Sequence, residues 1–199
     1  MGGRTLPSRN GVDDLKHEGN RLVVCRTGYT GEDGFELFCS AKHAPRWWKA
    51  LLGEDVKPCG LGARDSLRLE MCYALNGSDL SPCRTPLEAG LGAFVGLEKG
   101  DFVGADVLIR QKEEGIKDRL MAIQLTERAA PPRAGYPVLA EDGTALSVLT
   151  SGCLSPSLGE GIALAYLPVD RVKINTAVFI EVGGRKLAAK VVKKPFYRK

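Results

Sequence analysis

The sequence predicts an α+β protein, a strand-and-helix region followed by a small antiparallel β-barrel or jelly-roll. Two observations carry this. From Arg119 onward six short β-type runs recur between turn signals, over residues 120–125, 136–139, 145–150, 161–166, 177–182 and 186–192. Before that point, two β-type runs are followed by segments with helical start and stop signals. The chain has 199 residues, room for one or two domains with a real core. Its 44% hydrophobic and 26% charged residues place it among ordinary globular proteins rather than disordered ones.

Residues 1–20 are polar, without a sustained apolar period, and read as a loose N-terminal arm. Strands over 21–26 and 34–40 enclose a turn holding Gly28, Gly31 and Gly34 among Tyr29, Thr30, Glu32 and Asp33. Glu36 alternates with Phe35 and Leu37, so it points away from their face. Its carboxylate either faces water or accepts a pair of hydrogen bonds in a fork. Residues 43–53 read as a helix, with Pro45 near its start and Gly53 at its end. Trp47, Leu51 and Trp48 form its apolar stripe, which predicts core packing.

A second helix spans 59–72, with Leu61, Leu67 and Met71 as its expected buried face, supported by Leu69 or Cys72. Arg64 and Arg68 lie four apart on it. Like charges at that spacing repel by a few tenths of a kcal/mol, so at least one should meet a carboxylate, inside the protein or on a ligand. Gly-Leu-Gly-Ala-Arg-Asp65 lacks the third glycine and the preceding strand of a dinucleotide fingerprint. A loop over 76–86, a closely packed strand over 87–97 and a short helix over 105–115 follow. The charged run from Arg110 to Asp118 marks the domain boundary, giving domains over 21–115 and 116–199. Val-Gly-Gly184 and Glu-Asp-Gly143 read as hairpin turns in the second.

Several function classes drop out. The net charge is +4, and the basic residues are scattered until Lys193, Lys194, Arg198 and Lys199, so nucleic-acid binding is not expected. No signal peptide or membrane-length apolar run occurs, which predicts a cytoplasmic protein with free thiols. Six cysteines without a Cys-x-x-Cys pair, and two histidines, argue against zinc or another metal; Cys25 and Cys39 read as small core residues. No nucleophile elbow, phosphate-binding loop or zinc-protease helix is present.

The run Arg-Thr-Gly-Tyr-Thr-Gly-Glu-Asp-Gly-Phe-Glu36 resembles the signature of the T-protein (aminomethyltransferase) family of the glycine cleavage system. ARDSLRLE (63–70), TPLEAGL (85–91), KGDFVGADVL (99–108), TSGCLSPSLGEGIALAYLP (150–168) and VVKKPFYRK (191–199) continue the resemblance in order. It covers almost the whole chain but only roughly the C-terminal half of the family's pattern. It implies a partial folate-binding α+β domain followed by the barrel. It also implies tetrahydrofolate as co-substrate and the lipoylated H-protein as carrier partner. The reaction would move an aminomethyl-derived one-carbon unit to tetrahydrofolate and release ammonia. Glu36 would accept the ring N–H and exocyclic amine of the pterin. Arg64 matches the family's folate- or substrate-site arginine, and Tyr197 is nearest to its C-terminal ligand-contacting tyrosine.

The resemblance places the catalytic aspartate in the family's other half, so no catalytic residue is assigned. Asp33 reads as a turn residue, Asp65 as a first-turn helix acid and Glu88 as structural. Asp101 stands where a folate-binding relative tied to iron–sulfur cluster upkeep has cysteine, and Ala105 where the family has lysine. Three outcomes stay open: a transferase half that works with a separate N-terminal half, a non-catalytic folate-binding or interaction module, and an inactive truncated product. A strand left without its neighbour would also allow a homodimer.

Overall fold

The computed structural model describes residues 6–198. The chain divides into two compact units, the first ending at Leu67 and the second starting at Arg68.

The first unit is built on an antiparallel sheet in the order β1 (Val12–His17), β2 (Asn20–Cys25), β3 (Glu36–Cys39). β1 corrects the expectation of a loose arm over residues 12–17; residues 1–5 of that expected arm lie outside the described residues. β1 pairs with β2 from Val12↔Cys25 to His17↔Asn20. Glu18 and Gly19 close the hairpin with φ of 49° and 78°, as a two-residue turn whose twist suits paired strands requires. Its alternation is hidden because Asp14 and Lys16 fill the water-facing positions, and Asp14 answers Arg21 of β2 at 2.7 Å.

α1 (Ala44–Leu52) follows a short 3-10 turn. The expected core packing of its stripe is not observed. No residue of α1 is buried, and Trp48 is 54% exposed. Trp47 alone is half-buried, its ring centroid 5.1 Å from that of His17, and Arg46 pairs with Glu18. In α2 (Leu61–Glu70) the predicted buried face is overturned at Leu61 and Leu67, which are 83% and 37% exposed. Leu69, expected to support that face, is buried, together with Arg68 and Glu70. The physical reason is that Arg68 and Glu70 have full sets of hydrogen-bond partners, which removes the cost of burying them.

In the second unit no strand forms over 87–97; the segment is turns and short 3-10 pieces. Thr85 and Glu88 hold it. The Thr85 N–H donates to Glu88 Oε2 at 2.8 Å, and the Glu88 N–H donates to Thr85 Oγ1 at 3.2 Å. The same carboxylate accepts from Arg84 at 3.1 Å, so Glu88 is a structural acid. This reciprocal cap is incompatible with an extended strand. α3 (Ala105–Glu114) then leads to β4 (Asp118–Leu125), β5 (Pro137–Leu139), β6 (Ala145–Leu154), β7 (Gly161–Pro168), β8 (Ala177–Val182) and β9 (Arg185–Val192).

These six strands close a barrel in the order β4-β7-β6-β5-β8-β9, every pair antiparallel. Ile123, Leu149, Leu167, Val178, Ile180 and Val191 fill its interior. A second cluster packs Leu69 of α2 on Leu120, Ile162, Leu164 and Tyr166. Gly152 cannot carry a side chain, since a Cβ there would stand 2.8 Å from the Pro132 carbonyl. The six cysteines are free thiols, and Cys25 and Cys39 are half-buried. Burial pushes the Cys72 thiol up to about 11. No helix among the described residues is long and apolar enough to cross a membrane.

α2 is fastened to the barrel by one buried ion pair. Arg68 Nη1 donates to Asp79 Oδ2 at 2.7 Å and to the Tyr73 carbonyl at 3.2 Å, and Nη2 donates to Ser151 Oγ at 2.9 Å. Asp79 also accepts the Leu75 N–H at 2.8 Å, Thr150 Oγ1 at 2.5 Å and Ser151 Oγ at 2.9 Å. Successive side chains of a regular strand point to opposite faces, yet Thr150 and Ser151 both reach Asp79. A register shift between Leu149 and Ser151 makes this possible. Asp79→Ala should lower unfolding free energy by about 3–5 kcal/mol, because it strands a buried guanidinium. Urea denaturation of the full chain checks this, and a loss under about 1 kcal/mol would show that the pair does not hold the fold.

Candidate ligand site in the first unit

The turn between β2 and β3 is closed by a fork. Arg26 Nε and Nη2 donate to Asp33 Oδ1 and Oδ2 at 2.9 and 2.7 Å. Opposite charges at the two mouths of a glycine-rich bend make such a pair favourable. Asp33 therefore fastens the turn. Hydrogen bonding by Arg26 holds its carboxyl below the usual carboxylate range. Between these mouths Gly31 adopts φ of 80°, a left-handed conformation that glycine takes without strain. Gly28 and Gly34 do not have positive φ, so the bend needs only one of its three glycines for that reason.

Two side chains converge on this turn. Glu36 is exposed, and its Oε2 accepts the hydroxyl of Thr27, two residues past the end of β2, at 2.5 Å. The alternation expected of Glu36 holds on one side only: Leu37 and Cys39 lie half-buried and Glu36 and Phe38 exposed, but Phe35, which precedes β3, is exposed as well. Arg64 of α2 lays its guanidinium over the Tyr29 ring, 4.7 Å from the centroid, a cation–π contact. Glu36 thus reaches the start of the turn and Arg64 its middle. Of the two arginines four apart on α2, Arg68 is the one that meets an internal carboxylate.

Tyr197 belongs to the second unit. Its backbone N–H donates to the Glu70 carbonyl at 3.1 Å, as does that of Phe196 at 3.0 Å. Glu70 is itself buried, accepting Ser155 Oγ at 2.5 Å, Ser157 Oγ at 2.8 Å and the Ser157 N–H at 3.0 Å.

Thr27 and Tyr29 escape the sequence reading, although both lie in the quoted turn. The signal for Thr27 was its place at the strand end nearest the strand that carries Glu36. For Tyr29 it was an aromatic between two glycines. Chemically, the turn offers a carboxylate with acceptor capacity beyond the Thr27 bond, a planar cation on an aromatic face, and a backbone bend fastened by an ion pair. No group of three or more His, Cys, Asp or Glu able to hold a metal occurs among the described residues.

Comparison with known proteins gives a consistent pattern. Residues 10–99 match the GCVT N-terminal domain model, and residues 119–198 the glycine cleavage T-protein C-terminal barrel domain model. The aminomethyltransferase of Prochlorococcus marinus strain NATL1A is 45% identical over 100% of this chain and 52% of its own length. That of Synechococcus sp. strain RCC307 is 46% identical over 96% of this chain and 53% of its own length. The crystal structure of glycine cleavage system aminomethyltransferase T from Bartonella henselae superposes with a TM-score of 0.87 at 34% identity, covering 94% of this chain and 52% of that one. The chain spans about half the length of the relatives it matches.

The Arg26–Asp33 fork predicts an acid-sensitive turn. Asp33 has a lowered folded-state pKa, so the pair's contribution is complete above the ordinary carboxylate range and is lost as pH falls through the lowered value. Amide exchange at residues 28–34 should therefore accelerate in acid beyond its intrinsic pH dependence. Asp33→Asn should give the same loosening at neutral pH. Equal protection in wild type and variant at neutral pH would mean the fork does not order the turn.

Proposed function

Because the chain belongs to the glycine cleavage T-protein family, we propose that it supplies the pterin-holding part of a tetrahydrofolate-dependent aminomethyltransferase. The observation that carries the proposal is the convergence of Glu36 and Arg64 on one turn, the two positions whose family counterparts are ligand residues. In this reading the Glu36 carboxylate accepts the ring N–H and exocyclic amine of the pterin, and the Thr27 hydroxyl fixes its rotamer. Arg64, steadied on Tyr29, supplies a cation at the same bend. Tyr197, in the second unit, is the third residue that the resemblance implies for ligand binding.

The donor is the aminomethyl group on the lipoyl arm of the H-protein. Carbon–sulfur and carbon–nitrogen bonds break, the carbon bridges two folate nitrogens, and their two hydrogens leave with the thiol and ammonia. Positioning of the folate nitrogens near that carbon is the main contribution expected of these residues. The acid or base that moves the protons is not assigned to this chain's residues; it comes with the remaining half of the family's pattern, supplied from outside these 199 residues. Exposed Trp48 and Leu61 in the first unit, and exposed Phe94 and Val103 in the second, fit this need for a complementary half, since large apolar side chains left exposed can serve a partner. The working compartment is a reducing cytoplasm, with which six free thiols agree. If that complement is absent, the sheet edge at β3 is the surface through which a homodimer would form.

Glu36→Ala should weaken tetrahydrofolate binding more than tenfold, about 1.4 kcal/mol or more. Arg64→Lys should also weaken it, because lysine cannot reproduce a planar fork. Calorimetric titration reads both, and unchanged affinities would remove these residues from the site. Turnover of aminomethyl-lipoyl carrier, with and without an added N-terminal half, tests the transferase. Saturable folate binding without turnover in either case would instead identify a binding module.

A further inference from the structure

The second unit holds a cleft of about 860 Å³ that the proposed reaction does not use, and every residue lining it belongs to that unit. Five of its lining residues are cationic: Lys112 at the end of α3, Arg119 on β4, Lys173 between β7 and β8, and Lys193 and Lys194 after β9. No carboxylate lines it among the described residues. Of the nearby acids, Asp118 takes Arg84 at 2.9 Å, whereas Glu98 stands 3.9 Å from Lys112 and answers that one cleft cation. The remaining wall is apolar, formed in part by Ile116, Leu167, Val172 and Ile174.

Elements far apart in sequence therefore gather like charge around one concavity. Burial is the main cause that lowers the Lys194 pKa and Arg119 adds to it, while Cys72 and Asp79 act in the opposite sense. Like charges brought together in this way repel unless an anion answers them. The apolar wall gives such an anion a body to pack, and the ring of cations requires more than one negative charge.

We propose that this cleft binds an organic anion of charge two or more, its phosphate or carboxylate groups held by the lysines and Arg119 and its apolar or aromatic body against the Ile116–Ile174 wall. Nothing in this inference depends on the turn at 26–34. The full chain, labelled with ¹⁵N, is titrated with 2-naphthyl phosphate, with naphthalene-2,3-dicarboxylate and with inorganic phosphate. At least one aromatic anion should give saturable shifts at Ile116, Arg119, Lys173, Ile174 and Lys194. It should bind at least about fivefold tighter than inorganic phosphate, and the tighter of the two aromatics identifies the head group. Lys173→Gln combined with Lys193→Gln, both exposed positions, should weaken it about tenfold or more while leaving the spectrum folded. The proposal is overturned by non-saturating or scattered shifts, by unchanged affinity in the double variant, or by inorganic phosphate binding as tightly as both aromatics.

Discussion

The second unit depends on a guanidinium and a carboxylate withdrawn from water together. Arg68 and Asp79 are buried, and neither could be so alone. Their partners define the architecture: the end of α2 brings Arg68, the loop after it brings Asp79 and the Leu75 amide, and β6 brings Thr150 and Ser151. The Tyr166 hydroxyl adds β7 by donating to the Asp79 carbonyl at 2.8 Å. A network with each polar atom answered admits few alternative arrangements, which is what an apolar contact between α2 and the barrel would not provide. The bulge in β6 is part of the same device, because without it one of the two hydroxyls would face the opposite side of the strand.

A second polar anchor lies two residues further along the same helix. Glu70 binds the loop after β6 through its side chain, and the C-terminal segment through its carbonyl. α2 is thus buried by its charged residues and exposed at apolar Leu61, the reverse of an amphipathic surface helix. In the first unit the apolar side chains of α1 are also exposed. In α2 the buried charged side chains are held by partners within the chain beside buried Leu69, while apolar Leu61 is exposed.

This division explains what could be read from the sequence. The six barrel strands were legible because β-type runs, Gly-containing turns and proline breaks repeat on a short period. α3 was legible from its glycine-bounded length. β1 was not, since its solvent face is charged and its pairing lies in backbone hydrogen bonds that composition does not report. The segment 87–97 misled because apolar and small residues fit either a strand or a tight packed loop, and the Thr85–Glu88 cap decided for the loop. The buried face of α2 misled because period alone cannot show that an arginine and a glutamate have complete sets of partners. For the site, Glu36 and Arg64 came from alternation, spacing and resemblance, whereas Thr27 and Tyr29 emerged only once the turn's shape linked each to its partner.

The turn itself shows why those partners matter for ligand binding. An exposed carboxylate on a four-residue strand would otherwise rotate freely and lose side-chain entropy on gripping a ligand. The Thr27 hydroxyl restricts it beforehand, and Thr27 is in turn placed by a bend that the Arg26–Asp33 fork closes. Arg64 is steadied by an aromatic face rather than by a carboxylate, so its charge is not neutralised within that contact. The bend therefore orders one acid and one base without pairing them to each other. That arrangement suits a ligand edge carrying donors beside an acceptor or anion, and a salt bridge between Glu36 and Arg64 would have cancelled it.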